Sequence, residues 1–349
     1  MVNNLHNLLP LLRPFGALYG SLMRIRAFLY KTGIFKRYRF RVPIISVGNL
    51  TMGGSGKTPI VIYLADLLQQ QGFKPAVVSR GYGGRAADKI NVVSDGTTLY
   101  LDSIQAGDEP RLIAETVRNA VVLTGKKRKD PCRFAVDKLG CNVIILDDGF
   151  QHMSVARDID LVVFNAVSHF NSMRVLPGGI LREPFSALNR ADGFVISGYS
   201  ENADSQTGTL TSFLQHGWHD IPLFRLRYTP SHYVDCHGNN LPINYFGSPV
   251  FAFCGIASPH RFKNTLEAIS LNLVAFEGFS DHQQYTQESL NRIINRAKRY
   301  GAHALLTTEK DLVKLKTFET DLPLYALGMK VESSPSFDEF IREKLAQNS

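Results

Sequence analysis

Lys57 and Thr58 close the run Thr51-Met52-Gly53-Gly54-Ser55-Gly56-Lys57-Thr58, and the apolar stretch Ile44-Ile45-Ser46-Val47 leads into it. Glycines carry no Cβ, so consecutive backbone N–H groups can curl around an oxyanion. A helix that starts directly after them adds further N–H groups and the positive end of its dipole. The Lys57 ammonium then reaches β- and γ-phosphates, and the Thr58 hydroxyl is placed to ligate Mg²⁺. The pattern predicts a P-loop for a nucleoside triphosphate. Its one departure from G-x-x-x-x-G-K-[ST] is Thr51, which stands in place of the first glycine.

Two adjacent acid pairs accompany the loop. Val143-Ile144-Ile145-Leu146-Asp147-Asp148 reads as a buried strand that delivers carboxylates to the edge of a sheet, as a Walker B element does beside Mg²⁺. Gly107-Asp108-Glu109-Pro110 supplies the second pair. Neighbouring carboxylates repel unless a cation lies between them, yet helix starts also attract Asp and Glu, so both a capping and a functional reading fit. If Thr58 and Asp147 hold Mg²⁺, one of this pair can join them and the other can take a proton from an acceptor hydroxyl. Ser280-Asp281-His282 places a histidine beside a carboxylate, for proton transfer or for structure alone.

The arginines of Arg80-Gly81-Tyr82-Gly83-Gly84 and of Arg174 to Arg182-Glu183-Pro184 suit phosphate contacts and equally suit surface ion pairs. Lys126-Lys127-Arg128-Lys129 has a solvated loop as its default reading, with lipid phosphates as the alternative partner. Cys132, Cys141, Cys236 and Cys254 fit no zinc spacing and read as buried free thiols of a reducing compartment.

These groups need a sheet to carry them. Strands are predicted over 43–47, 75–79, 120–123, 143–146, 160–164 and 193–196, with helices over 58–71 and 108–119. Such alternation predicts an α/β fold, a parallel sheet with helices on both faces. A boundary is expected near residue 200, where 200–212 is polar and weakly patterned. Antiparallel strands or a link follow over 223–244. A second, smaller α/β set then begins at 249, with helices over 259–270, 287–300 and 336–345 and strands over 304–307 and 323–326. The predicted division is 1–41, 42–200 and 201–349.

Net charge is +8 over 349 residues, and its location is more informative than its size. Residues 1–41 hold eight Lys/Arg and no Asp/Glu, and the first acidic residue is Asp66. On a helical wheel over 8–31, Leu8, Leu11, Leu12, Phe15, Leu18, Tyr19, Leu22, Leu29 and Tyr30 share one face, opposite Arg13, Arg24 and Lys31. No apolar run approaches the ~18–20 residues of a membrane span, and Arg13 interrupts what would be a signal sequence. A basic amphipathic helix lying on an anionic membrane is expected. Packing on the protein's own core and binding to nucleic acid are the alternatives. Arg26 falls on the apolar face, where it could reach a lipid headgroup or a substrate phosphate.

The loop block Val47-Gly48-Asn49-Leu50-Thr51 through Pro59 resembles that of the tetraacyldisaccharide 4′-kinases of lipid A biosynthesis. So do Ser79-Arg80-Gly81-Tyr82-Gly83, Gly107-Asp108-Glu109-Pro110, Leu146-Asp147-Asp148-Gly149-Phe150-Gln151-His152 and Leu176-Pro177-Gly178-Gly179-Ile180-Leu181-Arg182-Glu183-Pro184. Phe279-Ser280-Asp281-His282 and Thr307-Thr308-Glu309-Lys310-Asp311 complete the set, in family order. The resemblance implies transfer of the γ-phosphate of ATP to the 4′-hydroxyl of a tetraacylated glucosamine disaccharide 1-phosphate, giving lipid IVA. It implies a cytoplasmic protein held peripherally at the inner membrane, with no nucleic-acid or obligate protein partner. It assigns Asp108 as base with His282 in support, Lys57 and Asp148 to the catalytic site, and Thr58, Glu109 and Asp147 to Mg²⁺. Tyr82, Arg128, Arg182, Glu183 and Arg26 are its candidate substrate contacts. The rival is a membrane-cycling ATPase switch, whose loop carries a signature lysine where this chain has Met52.

Overall fold

Strands covered on both faces need apolar residues at every position rather than in alternation, and the runs around residues 44, 76, 122 and 144 meet that condition. The computed structural model describes residues 13–53, 56–166, 173–199 and 204–347. In chain order its elements are α1 (Arg13–Lys31), β1 (Ile44–Gly48), α2 (Lys57–Gln70), β2 (Pro75–Ser79), β3 (Asn91–Asp95), α3 (Ser103–Ala106), α4 (Asp108–Thr116), β4 (Val121–Thr124), α5 (Lys129–Asp137), β5 (Val143–Asp147), β6 (Ile159–Asn165) and β7 (Gly193–Ser197). There follow α6 (Asp204–Gly217), β8 (Leu223–Asp235), β9 (Asn240–Pro242), β10 (Val250–Cys254), α7 (Pro259–Ala268), β11 (Leu273–Gly278), α8 (Gln287–Arg299), β12 (Ala304–Thr308), α9 (Glu309–Leu315), β13 (Leu324–Glu332) and α10 (Pro335–Gln347).

Among the described residues these strands form one sheet in the order β11-β10-β12-β13-β8-β7-β6-β1-β5-β2-β4-β3, with β9 added to β8. The first half, β7 to β4, is parallel, and β3 closes its edge antiparallel to β4. In the second half β11, β10, β12 and β13 are parallel. The long strand β8 joins the two. Its residues from Leu223 to Leu226 pair in parallel with β7, and its remainder pairs antiparallel with β13, Tyr228 opposite Val331. P-loop chemistry belongs at the C-terminal edge of β1, and β5 lies directly beside it with Val47 opposite Asp147.

Three local readings are corrected. The polar stretch after residue 200 includes a 14-residue helix, α6, held through Thr207, Leu210 and Leu214. Of the two readings for 223–244, strands hold over a link, but they are one continuous 13-residue strand, β8, with the short β9 antiparallel to it. The cationic run over 126–129 is not simply solvated, because Arg128 is buried (5 % exposed) and Lys129 starts α5 with its Nζ on the Tyr38 hydroxyl at 3.0 Å.

On α1 the apolar residues of the wheel divide between the body and solvent. Gly16 and Gly20 face the body, and a Cβ at Gly16 would meet the Val175 carbonyl at 2.7 Å, so only glycine permits this approach. Tyr19, Met23, Arg26 and Tyr30 are half-buried on the same side. Phe15, Leu18, Leu22, Ile25 and Phe28 are each more than half exposed. Leu8, Leu11 and Leu12 lie outside the described residues. No helix among the described residues is long and apolar enough to cross a membrane.

Candidate active site

At the end of β1 the chain enters a turn that Asn49 organises. Its amide donates to the Thr51 carbonyl at 2.8 Å, and its Oδ1 accepts from Lys57 Nζ at 3.2 Å. The Met52 N–H donates to the Ile180 carbonyl, which ties the loop to the segment after residue 173. Gly54 and Ser55 lie outside the described residues; Gly53 and Gly56 both have left-handed φ, 99° and 75°. Gly56 supplies no side-chain cap to α2, so that helix begins with its N-terminal dipole turned toward the loop. Lys57 and Thr58 follow on its first turn and line a cleft of about 1460 Å³.

Asp147 ends β5 and Asp148 follows it in the turn. In an extended strand successive side chains point to opposite faces. Here Asp148 takes a left-handed φ of 52°, which bends the chain at the strand end, and both residues line the cleft. Asp148 lies 3.3 Å from Lys57 Nζ and 2.7 Å from Arg182 Nη1. Burial pushes its carboxyl up, but these two cations outweigh it and hold the group below the usual carboxylate range. Asp147 behaves oppositely: burial first, then the negative charge of Glu109, pushes its pKa well up. Its Oδ1 is buried with no hydrogen-bond partner. A cation beside Asp147 and Glu109 would relieve both features. The donor set of Thr58, Glu109 and Asp147 is all oxygen, as Mg²⁺ requires. Among the described residues no three His, Cys, Asp or Glu side chains form a metal cage, and Mg²⁺ ordinarily uses one or two carboxylates with phosphates and water instead.

Asp108 and Glu109 open α4. Asp108 is 7 % exposed and sits just behind the cleft wall. The second half reaches it there: His282 Nδ1 lies 3.1 Å and 3.3 Å from its two carboxylate oxygens. His282 also has a left-handed φ, 56°, and its N–H is fixed by the Gly255 carbonyl at 3.1 Å. Lys310, on the first turn of α9, places Nζ 3.3 Å from His282 Nε2 and 3.0 Å from Glu109. An ammonium only donates, so Nε2 accepts from Lys310 and the Nδ1 proton faces Asp108. Lys314 stands behind, 2.8 Å from the fully buried Asp311, 3.8 Å from Asp108, and donating to the Gln283 carbonyl at 3.1 Å. Burial works against the Lys310 ammonium, but Glu109 and Asp108 raise its pKa above the ordinary lysine value.

The wall opposite is cationic. Arg26, Arg80, Arg128 and Arg182 all line the cleft. Arg26 donates to the Gln151 carbonyl at 3.0 Å, so its side chain turns inward rather than toward the exposed stripe of α1. His152 lies among them, and burial followed by Arg128, Arg157, Arg26 and Arg80 pushes its pKa down to about 3. Tyr82 stands edge-on to His282, ring centroids 5.8 Å apart. Glu183 is absent from the lining; it is buried in an ion pair with Arg190 at 3.0 Å. Thr51 pairs with Leu181 in an isolated bridge beside the loop.

Sequence reasoning gave no role to Asn49, Gln151, Lys310, Lys314 or Tyr228. Lys310 and Lys314 were within reach of it, since a cation at the start of a helix that follows a buried strand stands at a sheet edge. Asn49 and Gln151 carry no such signal; Gln151 matters because its amide donates to the Asn49 carbonyl at 2.9 Å.

A family model described as tetraacyldisaccharide-1-P 4′-kinase matches residues 8–346. The tetraacyldisaccharide 4′-kinase of Desulfotalea psychrophila is 45 % identical over 95 % of each chain. That of Syntrophus aciditrophicus is 37 % identical over 96 % of this chain and 92 % of its own. A crystal structure of LpxK from Aquifex aeolicus in complex with ATP superposes with a TM-score of 0.79 at 30 % identity, covering 97 % of this chain and 99 % of that one. With the P-loop, the paired carboxylates and the cleft in one arrangement, the chain belongs to the tetraacyldisaccharide-1-P 4′-kinase family and is a P-loop kinase.

Proposed function

We propose that this kinase transfers the γ-phosphate of ATP to the 4′-hydroxyl of a tetraacylated glucosamine disaccharide 1-phosphate, at the cytoplasmic face of the inner membrane. The carrying observation is the Asp108–His282 contact across the cleft from Lys57 and Asp148. It brings a proton acceptor from one half and an orienting imidazole from the other to the edge where a P-loop presents phosphate.

Lys57 and the first turn of α2 receive the triphosphate and balance its charge. Thr58, Glu109 and Asp147 would hold Mg²⁺, which supplies charge neutralisation on the transferring group. Arg182 and Lys57 keep Asp148 ionised and hold it at the edge of the site. Asp108 takes the hydroxyl proton, and the His282 Nδ1–H bond orients its carboxylate. Arg26, Arg80 and Arg128 give the 1-phosphate a cationic wall. A second reading follows from the lining, because His282 reaches the cleft and Asp108 lies behind it; Nε2 then gives up its bond from Lys310 to take the hydroxyl proton, and Asp108 stabilises the imidazolium through Nδ1–H.

The test is transfer of labelled γ-phosphate from Mg-ATP to tetraacyldisaccharide 1-phosphate in mixed micelles. Transfer is expected. ATP hydrolysis that needs a protein partner and ignores the lipid would favour the ATPase switch instead. Lys310→Gln should lower turnover roughly 10- to 100-fold with ATP affinity retained, since it removes the cation that fixes the His282 tautomer; equal losses in turnover and ATP affinity would place Lys310 on the nucleotide.

The exposed stripe of α1, flanked by Arg24 and Lys31, supports peripheral membrane attachment. Leu22→Ser with Ile25→Ser should weaken partitioning onto anionic vesicles by at least roughly 10²-fold, because each buried apolar side chain contributes about 1.5–3 kcal/mol and about 1.4 kcal/mol is a factor of ten. ATP binding should be unaffected. Unchanged sedimentation would remove α1 as the anchor.

A further inference from the structure

We infer that Tyr228 is a positioning residue for the nucleotide loop, acting through the Gly56 carbonyl. The inference rests on the ATP-dependent reading above. Tyr228 lies on β8, far in sequence from the loop, and its hydroxyl donates to the Gly56 carbonyl at 2.6 Å across 172 residues. That hydroxyl also accepts from the Ser197 side chain at the end of β7. The packing is close: a Cβ at Gly56 would meet Ser197 Oγ at 2.9 Å and Tyr228 Oη at 3.0 Å.

The consequence follows from peptide geometry. A trans peptide is planar, so the carbonyl of one residue and the N–H of the next point in opposite directions. Holding the Gly56 carbonyl toward Tyr228 therefore aims the Lys57 N–H the other way. Gly56 has no Cβ to restrict its backbone and sits at a left-handed φ of 75°, so this peptide plane is free to rotate unless something holds it. The Tyr228 bond stops that rotation before ligand arrives, and the Lys57 amide enters the complex already oriented.

The position of Tyr228 adds a second effect. It pairs with Val331 where β8 leaves β7 and begins its ribbon with β13. The ribbon carries the half that holds His282 and Lys310. The residue that orients the loop thus belongs to the strand on which the two halves are hung, and a change of angle at the ribbon acts on the phosphate site through one hydroxyl.

Tyr228→Phe keeps the ring and removes only that hydroxyl. We expect the KM for ATP, and the dissociation constant of a fluorescent ATP analogue, to rise roughly five- to tenfold, the cost of one lost buried hydrogen bond. The KM for the lipid acceptor should stay within about twofold, and the melting temperature within about 3 °C. Ser197→Ala should shift ATP affinity in the same direction by less. An unchanged ATP affinity in Tyr228→Phe overturns the inference, as does an equal rise in both KM values, which would mark a general structural role. Failure of the unaltered protein to bind the analogue overturns the nucleotide reading itself, and this inference with it.

Discussion

Asp108→Asn is expected to lower turnover roughly 10²- to 10⁴-fold while ATP affinity stays within about twofold. The amide has the size of the carboxylate, and its oxygen can still accept from His282 Nδ1, so the cross-cleft contact at 3.1 Å survives. What is lost is the capacity to take a proton. Lys314 keeps Asp311 at 2.8 Å as its counter-charge, so the buried cation is not stranded. Steady-state phosphate transfer, with a melting curve as control, checks the result. His282→Ala beside it separates the two proton-acceptor readings. A smaller loss than in Asp108→Asn supports the carboxylate as base, and a loss at least as large supports the imidazole. Full turnover in Asp108→Asn would remove Asp108 from the chemistry altogether.

Lys57→Ala is expected to reduce kcat/KM for ATP by at least roughly 10²–10³, the scale of losing one preorganised cation from a transferring phosphoryl group. The fold should persist. Asp148 retains Arg182 at 2.7 Å, and Asn49 still donates to the Thr51 carbonyl at 2.8 Å, so the turn keeps its internal support. The measurement is kcat and KM for ATP at saturating acceptor, together with analogue binding. A loss confined to KM would mean that Lys57 contributes equally to ground and transition states. A kcat/KM within tenfold of the parent would mean that another cation of the cleft, Arg182 or Lys310, carries that charge.

What the sequence discloses here is what neighbouring residues share. The glycine-rich turn, the carboxylates closing β5 and the acid pair opening α4 are each contiguous, and the apolar runs that deliver them are buried strands. Contacts between distant segments are not written this way. Asp108 and His282 stand 174 residues apart and Glu109 and Lys310 201 apart, so their meeting depends on how the second half is hung on β8. Arg128 looked solvated because lysines surround it, and only the placement of the turn before α5 buries it. The continuity of β8 runs through Pro230, which cannot donate to a ladder. Pro230 faces Met329, beside a register shift in β13, where the ladder already tolerates irregularity. The wheel of α1 grouped its apolar side chains, but the close contact with the body is made by two glycines, which carry no hydropathy signal.

The last helix carries a consequence for how the molecule is made. Phe337, Ile341 and Leu345 of α10 lie in the same apolar cluster as Val47, Leu64 and Val195, in the half that bears the P-loop. Tyr63 of α2 hydrogen-bonds Asp338 at 2.6 Å. Domains commonly fold in order as they leave the ribosome. This half closes late, because the core under its nucleotide loop lacks a wall until α10 is synthesised. The P-loop half therefore waits, incomplete and with apolar surface open, through the synthesis of every strand from β9 onward. Such long-range closure is slow, and nascent chains stalled before residue 335 should engage chaperones that the finished protein does not.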